Sequence, residues 1–248
     1  LDGVAAGVLT DFGASERDLT TPTIGAWEYF QCVEIWTAGT MREAYTTLKD
    51  AFDDINSAAW TGDLTVKILK NTYETATANL LASGSGPSYT RVHIYPTKAG
   101  VTVAGSLNAP LVRLEGADGV SIDGRVNATG STPGLTFSNL STGTSASTIQ
   151  LAESAQQDTL QYCVIKGAGQ GTTTGVVHFG TSSSGTGNSN NVVMNNVISG
   201  LNATERPVNA LYSQGSTGRV NSANQVLNNE LYHVLLAGAP SNVSHLGA

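Results

Sequence analysis

The chain is short of charge. Asp, Glu, Lys and Arg together make up 12 % of its 248 residues, about half the usual share. The polar surface must therefore be built from Ser, Thr, Asn and Gly, a mixture that suits strands and tight turns better than soluble helices. Positive charge is scarcest, with 12 scattered Lys and Arg against 19 Asp and Glu, a net charge of −7 and a pI near 4.9. Phosphate binding needs concentrated Lys and Arg, so no nucleic-acid partner is expected. No window carries the run of about 18 apolar residues that a membrane-spanning helix needs, so the chain is not expected to span a membrane. Cysteine is nearly absent. Cys32 and Cys163 lie far apart and in no metal-ligand spacing; Cys163 is expected as a buried free thiol, with a disulfide to Cys32 as the alternative. The chain begins with Leu1 and shows no basic-then-apolar leader, which reads as a processed or excised piece of something longer.

What is present is a folding composition, 40 % apolar, written as short apolar strands between small and turn-forming residues. One phrase returns three times: Leu160-Gln161-Tyr162-Cys163-Val164-Ile165, Val193-Met194-Asn195-Asn196-Val197-Ile198 and Val226-Leu227-Asn228-Asn229-Glu230-Leu231. The interval from Ile165 to Ile198 equals that from Ile198 to Leu231, a period of 33. A fixed period of this length marks a stacked array. One turn alone cannot shield its narrow apolar interior, whereas stacked turns share a continuous core. Ile165, Ile198 and Leu231 are therefore expected in one inner file. Asn195 and Asn196 stand one full period before Asn228 and Asn229, as side-chain ladders require. A second strand family runs Ile149-Gln150-Leu151, Val177-His178-Phe179, Ala210-Leu211-Tyr212, aligning Phe179 with Tyr212 at the same period.

Upstream, Leu64–Lys70 and Arg91–Tyr95 alternate apolar and polar residues, and Val101–Gly105, Leu111–Leu114 and Val120–Gly124 follow as short strands between turns. One segment has the other period. Leu48, Ala51, Phe52 and Ile55 fall at i, i+3, i+4 and i+7, which predicts an amphipathic helix over about 47–56. Thr46 or Thr47 is its N-cap, Asp50 favours its first turn, and Asn56 and Ser57 end it. Arriving just before the first strands, it is placed to cover the open end of the coil, where unpaired edges are a hazard. The expected fold is all-β, a right-handed parallel β-helix (solenoid) with an N-terminal capping helix. Residues 1–30 read as the closing segment of a preceding unit, 31–62 as linker and capping helix, and 63–248 as the β-helix.

Three stretches carry a family resemblance. Thr47-Leu48-Lys49-Asp50-Ala51-Phe52-Asp53-Asp54-Ile55-Asn56 with Trp60-Thr61-Gly62-Asp63-Leu64-Thr65-Val66 looks like the start of a unit. Leu114-Glu115-Gly116-Ala117-Asp118-Gly119-Val120-Ser121-Ile122-Asp123-Gly124 looks like a characteristic turn, and Asp11-Phe12-Gly13, Arg17, Pro22 and Ile24-Gly25-Ala26-Trp27-Glu28 look like the end of a preceding unit. Together they resemble parallel β-helix units of large secreted and cell-surface proteins of Bacteroidota, adhesin-like and of the pectate-lyase-like superfold. The resemblance implies secretion (type IX), a place on the cell surface, and adhesion or gliding motility. It also implies surface glycans or other cell-surface proteins as partners, besides neighbouring units of the same polypeptide. It supplies no catalytic residue. No C-terminal sorting domain is visible, which fits an internal fragment.

Parallel β-helices also include polysaccharide lyases and hydrolases, which need a base and acidic residues that bind calcium or act as a pair. The best local cluster is Arg113, Glu115, Asp118, Asp123 and Arg125. Asp118-Gly119 and Asp123-Gly124 are, however, turn dipeptides whose carboxylates bond nearby backbone amides. From 131 to 229 the only charged residues are Glu153, Asp158, Lys166, Glu205, Arg206 and Arg219, too few for converging acid–base groups. His93, His178, His233 and His245 are dispersed. His178 lies between Val177 and Phe179, so it is exposed if they face the core. Tyr162, Tyr212 and Tyr232 pair an apolar body with a polar tip and suit sugar stacking. With His178 they are the candidate ligand-binding residues; core or edge packing is the alternative for each. No catalytic residue, metal ligand or cofactor is assigned, and calcium at Asp118 and Asp123 is the one alternative. The expected function is a non-enzymatic extracellular structural or adhesin module with weak glycan (carbohydrate) binding. A polysaccharide lyase or glycoside hydrolase acting on a β-helix face, or a self-assembling filament or surface-layer component, would be the alternatives.

Overall fold

The computed structural model describes residues 31–57, 60–84 and 86–235, and every element named here lies within one compact unit beginning at Cys32. The expectations for 1–30, and for His245, fall outside the described residues. The chain opens with an antiparallel hairpin, β1 (Val33–Thr37) and β2 (Thr40–Tyr45), turned at Ala38 and Gly39 with φ of 48° and 78°. The stretch expected as linker thus carries two strands.

Helix α1 (Leu48–Asn56) follows as predicted. Thr47 Oγ1 accepts the Asp50 N–H at 3.0 Å, and Leu48, Ala51, Phe52 and Ile55 are buried. Glu74 closes the same end from a distance. Its buried carboxylate accepts the Leu48 and Lys49 N–H groups, both at 3.0 Å, and so satisfies two of the donors a helix start leaves orphaned. At the other end the Asn56 side chain donates to the Asn79 carbonyl (2.8 Å) and accepts the Leu81 N–H (3.0 Å).

From here the chain repeats one circuit of three strands. The first circuit is β3 (Thr61–Ile68), β4 (Thr72–Glu74) and β5 (Ala78–Leu81). The second is β6 (Ser88–Pro96), β7 (Val101–Gly105) and β8 (Pro110–Glu115), and the third β9 (Val120–Asp123), β10 (Leu135–Asn139) and β11 (Ser147–Ala152). The fourth is β12 (Thr159–Gln161), β13 (Val164–Gly167) and β14 (Val177–Phe179). The fifth is β15 (Val192–Met194), β16 (Val197–Ser199) and β17 (Leu211–Ser213), and β18 (Gln225–Leu227) and β19 (Glu230–Tyr232) begin a sixth.

Like strands stack in parallel. Among the described residues they form three sheets: β3-β6-β9-β12-β15-β18, extended by the antiparallel hairpin to eight strands; β4-β7-β10-β13-β16-β19; and β5-β8-β11-β14-β17. The protein is nearly all β, and the arrangement is compatible with a β-solenoid. Register fixes the core. Val103, Phe137, Ile165, Ile198 and Leu231 form one file. Val66, Ile94, Ile122, Leu160, Val193 and Val226 form another. Both files are buried until the sixth circuit, where Val226 is 49 % exposed.

Asparagine holds the bends. Asn196 Oδ1 accepts the Cys163 N–H and Asn229 Oδ1 accepts the Asn196 N–H, each at 2.9 Å. Asn195 and Asn228 play a different part: like Tyr162 they are left-handed, with φ of 56°, 52° and 53°, a conformation Asn tolerates better than most residues. Two further ladders lie in the bend into the eight-stranded sheet. There Asn188 and Asn221 stack below Ala155, and Asn191 and Asn224 stack below Asp158. Cys32 and Cys163 are both buried free thiols, without the alternative disulfide.

Candidate functional site

Side chains not needed for the core face outward in files. On the five-stranded sheet one file reads Asn79, Arg113, Gln150, His178, Tyr212. It brings together two of the four candidate residues through a register that differs from the sequence expectation. Tyr212 pairs with His178, and Phe179 pairs with Ser213. Between the pairs Val164–Val197 and Val177–Leu211 the later circuit takes one residue more, and between Val177–Leu211 and Val192–Gln225 it takes one fewer, so the period survives on either side.

His178 is not exposed, as its alternation implied; it is 4 % exposed, alongside equally buried Val177 and Phe179. Gln150 Nε2 meets its Nδ1 at 3.0 Å and the Tyr212 ring lies 5.7 Å away, so neighbours in the file flank the ring on both sides. Burial lowers its pKa to about 4, partly offset by the Gln214 side chain. The imidazole is neutral at pH 7.

The expected cluster of Arg113, Glu115, Asp118, Asp123 and Arg125 divides. Arg113 and Glu115 form an ion pair at 3.6 Å on β8. Asp118 lies in the following bend, and its carboxylate reaches the next circuit, accepting the Gln156 N–H at 2.8 Å. Asp123 ends β9 on the eight-stranded sheet and does bond locally, to the Arg125 N–H at 3.0 Å.

A second outward group is built around Asp123. Arg125 clamps the carboxylate through Nε (2.9 Å) and Nη2 (2.6 Å), and Gln161 Nε2 donates from the next circuit at 2.9 Å. The Arg125 guanidinium lies 4.4 Å over the Tyr162 ring, the geometry of a cation–π contact. Burial alone would raise the Asp123 pKa, but its bonds to Arg125 prevail and hold it below the usual carboxylate value. On the adjoining circuit His93 and Tyr95 share the outer face, their rings 5.0 Å apart, and burial pushes the His93 pKa down. Both Asp123 oxygens are occupied, which suits holding Arg125 and Tyr162 in place. His93, Tyr95 and Tyr162 offer ring surface with polar tips.

This group was missed by sequence reasoning, although the alternation Arg91-Val92-His93-Ile94-Tyr95 already puts His93 and Tyr95 on one side. Tyr162 reaches Arg125 through a step of 38 residues, Asp123 to Gln161, which the shorter period of the later circuits does not reveal. Tyr232, the last candidate, stands apart. It belongs to the outer file Tyr73, Ala104, Ser138, Lys166, Ser199, Tyr232 of the six-stranded sheet and makes an edge contact with His233 at 4.8 Å. Among the described residues no three His, Cys, Asp or Glu side chains gather as a metal site would require. The hollow bounded by Asn139, Thr148, Gly167, Val176 and Pro207 is no larger than about one water molecule. No known protein family matches this chain, and no curated protein or solved structure is significantly similar to it.

Proposed function

We propose that the chain is a right-handed parallel β-helix whose first circuit is closed by α1, and that it serves as a non-enzymatic extracellular module of a large surface protein. In this proposal it is a structural spacer or adhesin, secreted to the cell surface, that makes weak repeated contacts with glycans. The right hand is the one parallel strand crossovers take almost without exception. A closing role for α1 is supported by the bonds of Glu74 and Asn56, which tie its two ends to first-circuit strands of two sheets.

One observation carries the functional proposal: the outer faces are continuous in-register files, and one of them sets His93, Tyr95 and Tyr162 around the Asp123–Arg125 clamp. Strand spacing repeats such a face about every 4.8 Å. Rings with polar tips suit sugars, and many weak contacts sum to useful avidity.

Affinity electrophoresis through gels containing neutral and acidic polysaccharides tests this. Retardation of the chain, relieved by Tyr95→Ala and Tyr162→Ala and without release of sugar, is expected. Release of unsaturated sugars would replace the proposal with a lyase. Concentration-dependent sedimentation without any retardation would replace it with a filament component.

A further inference from the structure

In the bend that leads into the eight-stranded sheet, one file of asparagines continues into an acid. Asn224 Oδ1 accepts the Asn191 N–H at 3.0 Å, and Asn191 Oδ1 accepts the Asp158 N–H at 2.9 Å. Asp158 stands next in that file and continues it, its Oδ1 accepting the Val120 N–H at 2.8 Å. The other terminal atom is where the three residues differ. Asn191 Nδ2 donates to the Ala155 carbonyl at 3.1 Å, and Asn224 Nδ2 to the Asn188 carbonyl at 2.8 Å. The corresponding atom of Asp158 is Oδ2, which is buried and has no hydrogen-bond partner. An ionised carboxylate accepts only, whereas the protonated acid has one O–H to give.

The surroundings favour the uncharged form. Asp158 is 3 % exposed. It borders a hollow lined by Leu114, Ile122, Ile149, Leu160 and Val193 and no larger than about one water molecule. The ionisable groups that face it are Asp118, of the same sign, in the bend of the preceding circuit, and Tyr89 on β6, whose own ionisation is suppressed chiefly by burial and further by the two aspartates.

We propose that Asp158 is held in the ladder as the neutral acid, its Oδ2 proton standing where Asn191 and Asn224 carry an amide proton, and that loss of this proton to solvent loosens the 155–158 bend. The bend is then a joint that tightens in acid and slackens in alkali. Burial pushes the Asp158 carboxyl well above the usual range against the pull of the Val120 N–H, and the Asp118 charge adds to the rise. A group raised in the folded state contributes its stability in full below its unfolded value, near 4. That contribution disappears as pH climbs through the folded value.

Melting temperature against pH, for the chain and for Asp158→Asn, tests the proposal. The amide supplies a permanent donor, so the variant should match or exceed the parent at neutral pH and widen its lead as pH rises. Amide exchange at Val120 should be faster in the parent than in the variant at pH 9. Parallel melting curves, or a variant that melts lower at every pH, would overturn the idea. Carboxyl carbon NMR on the unsubstituted chain decides the matter without a variant. One aspartate resonance should remain at its protonated position at pH 7, and titration of every aspartate below pH 5 would contradict the proposal.

Discussion

Asn229 Oδ1 accepts two hydrogen bonds from Asn196, 33 residues earlier, one from its main-chain N–H at 2.9 Å and one from its side-chain amide at 3.0 Å. The Asn196 amide also donates to the Leu160 carbonyl at 2.8 Å. Successive circuits are therefore joined by side chains at their bends as well as by strand pairing.

Adjacent asparagines should respond differently to mutation. Asn196→Ala leaves the Cys163 N–H in a buried bend without its acceptor and removes the side-chain bond to the Leu160 carbonyl, at a cost of about 1–3 kcal/mol. Asn195 contributes a left-handed backbone, φ 56°, so Asn195→Gly should change stability by about 0.5 kcal/mol or less while Asn195→Val costs ~1–2 kcal/mol. Urea denaturation of the three variants measures this; equal losses at both positions would contradict the division of roles.

Glu74 connects the six-stranded sheet to the start of α1. Glu74→Ala removes both acceptors and should cost about 2–3 kcal/mol, with amide exchange accelerated at Leu48 and Lys49. Glu74→Gln keeps one acceptor and should recover part of the loss. Unchanged exchange at those two amides would show that the helix is held by its apolar face alone.

Gly124 is demanded by close approach. A Cβ there would lie 2.0 Å from the Tyr162 carbonyl oxygen and 2.8 Å from the Cys163 Cα, and backbone atoms cannot move aside without shifting the next circuit. Gly124→Ala should destabilise by ~3 kcal/mol or more, whereas Gly130→Ala, with open space at its Cβ, should cost about 1 kcal/mol through its φ of 80°. Chemical denaturation compares the pair.

His178 makes the fold acid-sensitive. Its pKa is lowered in the folded state from 6.5 to about 4, so the stability it contributes is intact above the unfolded value and lost as pH falls from 6.5 toward 4. The loss amounts to about 3 kcal/mol at most. His178→Gln should flatten this part of the stability–pH curve; an unchanged slope would assign the acid limb to other groups.

How much of this was legible follows from where the chain keeps time. The α1 pattern survives because Leu48, Ala51, Phe52 and Ile55 and the Thr47 cap are local signals. The file through Ile165, Ile198 and Leu231 survives because its steps are equal. Earlier steps are not equal. Those from Val66 to Ile94 and from Ile94 to Ile122 are shorter than the later period, and the one from Ile122 to Leu160 is longer. Contacts such as Arg125 over Tyr162 therefore have no periodic signature. The hairpin was obscured because β2 exposes four of its six residues and turns on Ala38-Gly39, a weaker signal than Asn-Gly. His178 was misjudged because alternation gives the side of a sheet, and neighbours in the outer file decide exposure.

The central claim is that circuits stack in register, and pulsed electron-spin distances measure it most directly. Nitroxides at Tyr73→Cys and Tyr232→Cys sit at the two ends of one outer file, five strand steps apart, while Cys32 and Cys163 stay buried and unlabelled. The account predicts a narrow distribution at about 24 Å, shortening by about 5 Å when the first label moves one step to Ala104→Cys. A broad distribution, or a separation that does not shorten on that move, would contradict it.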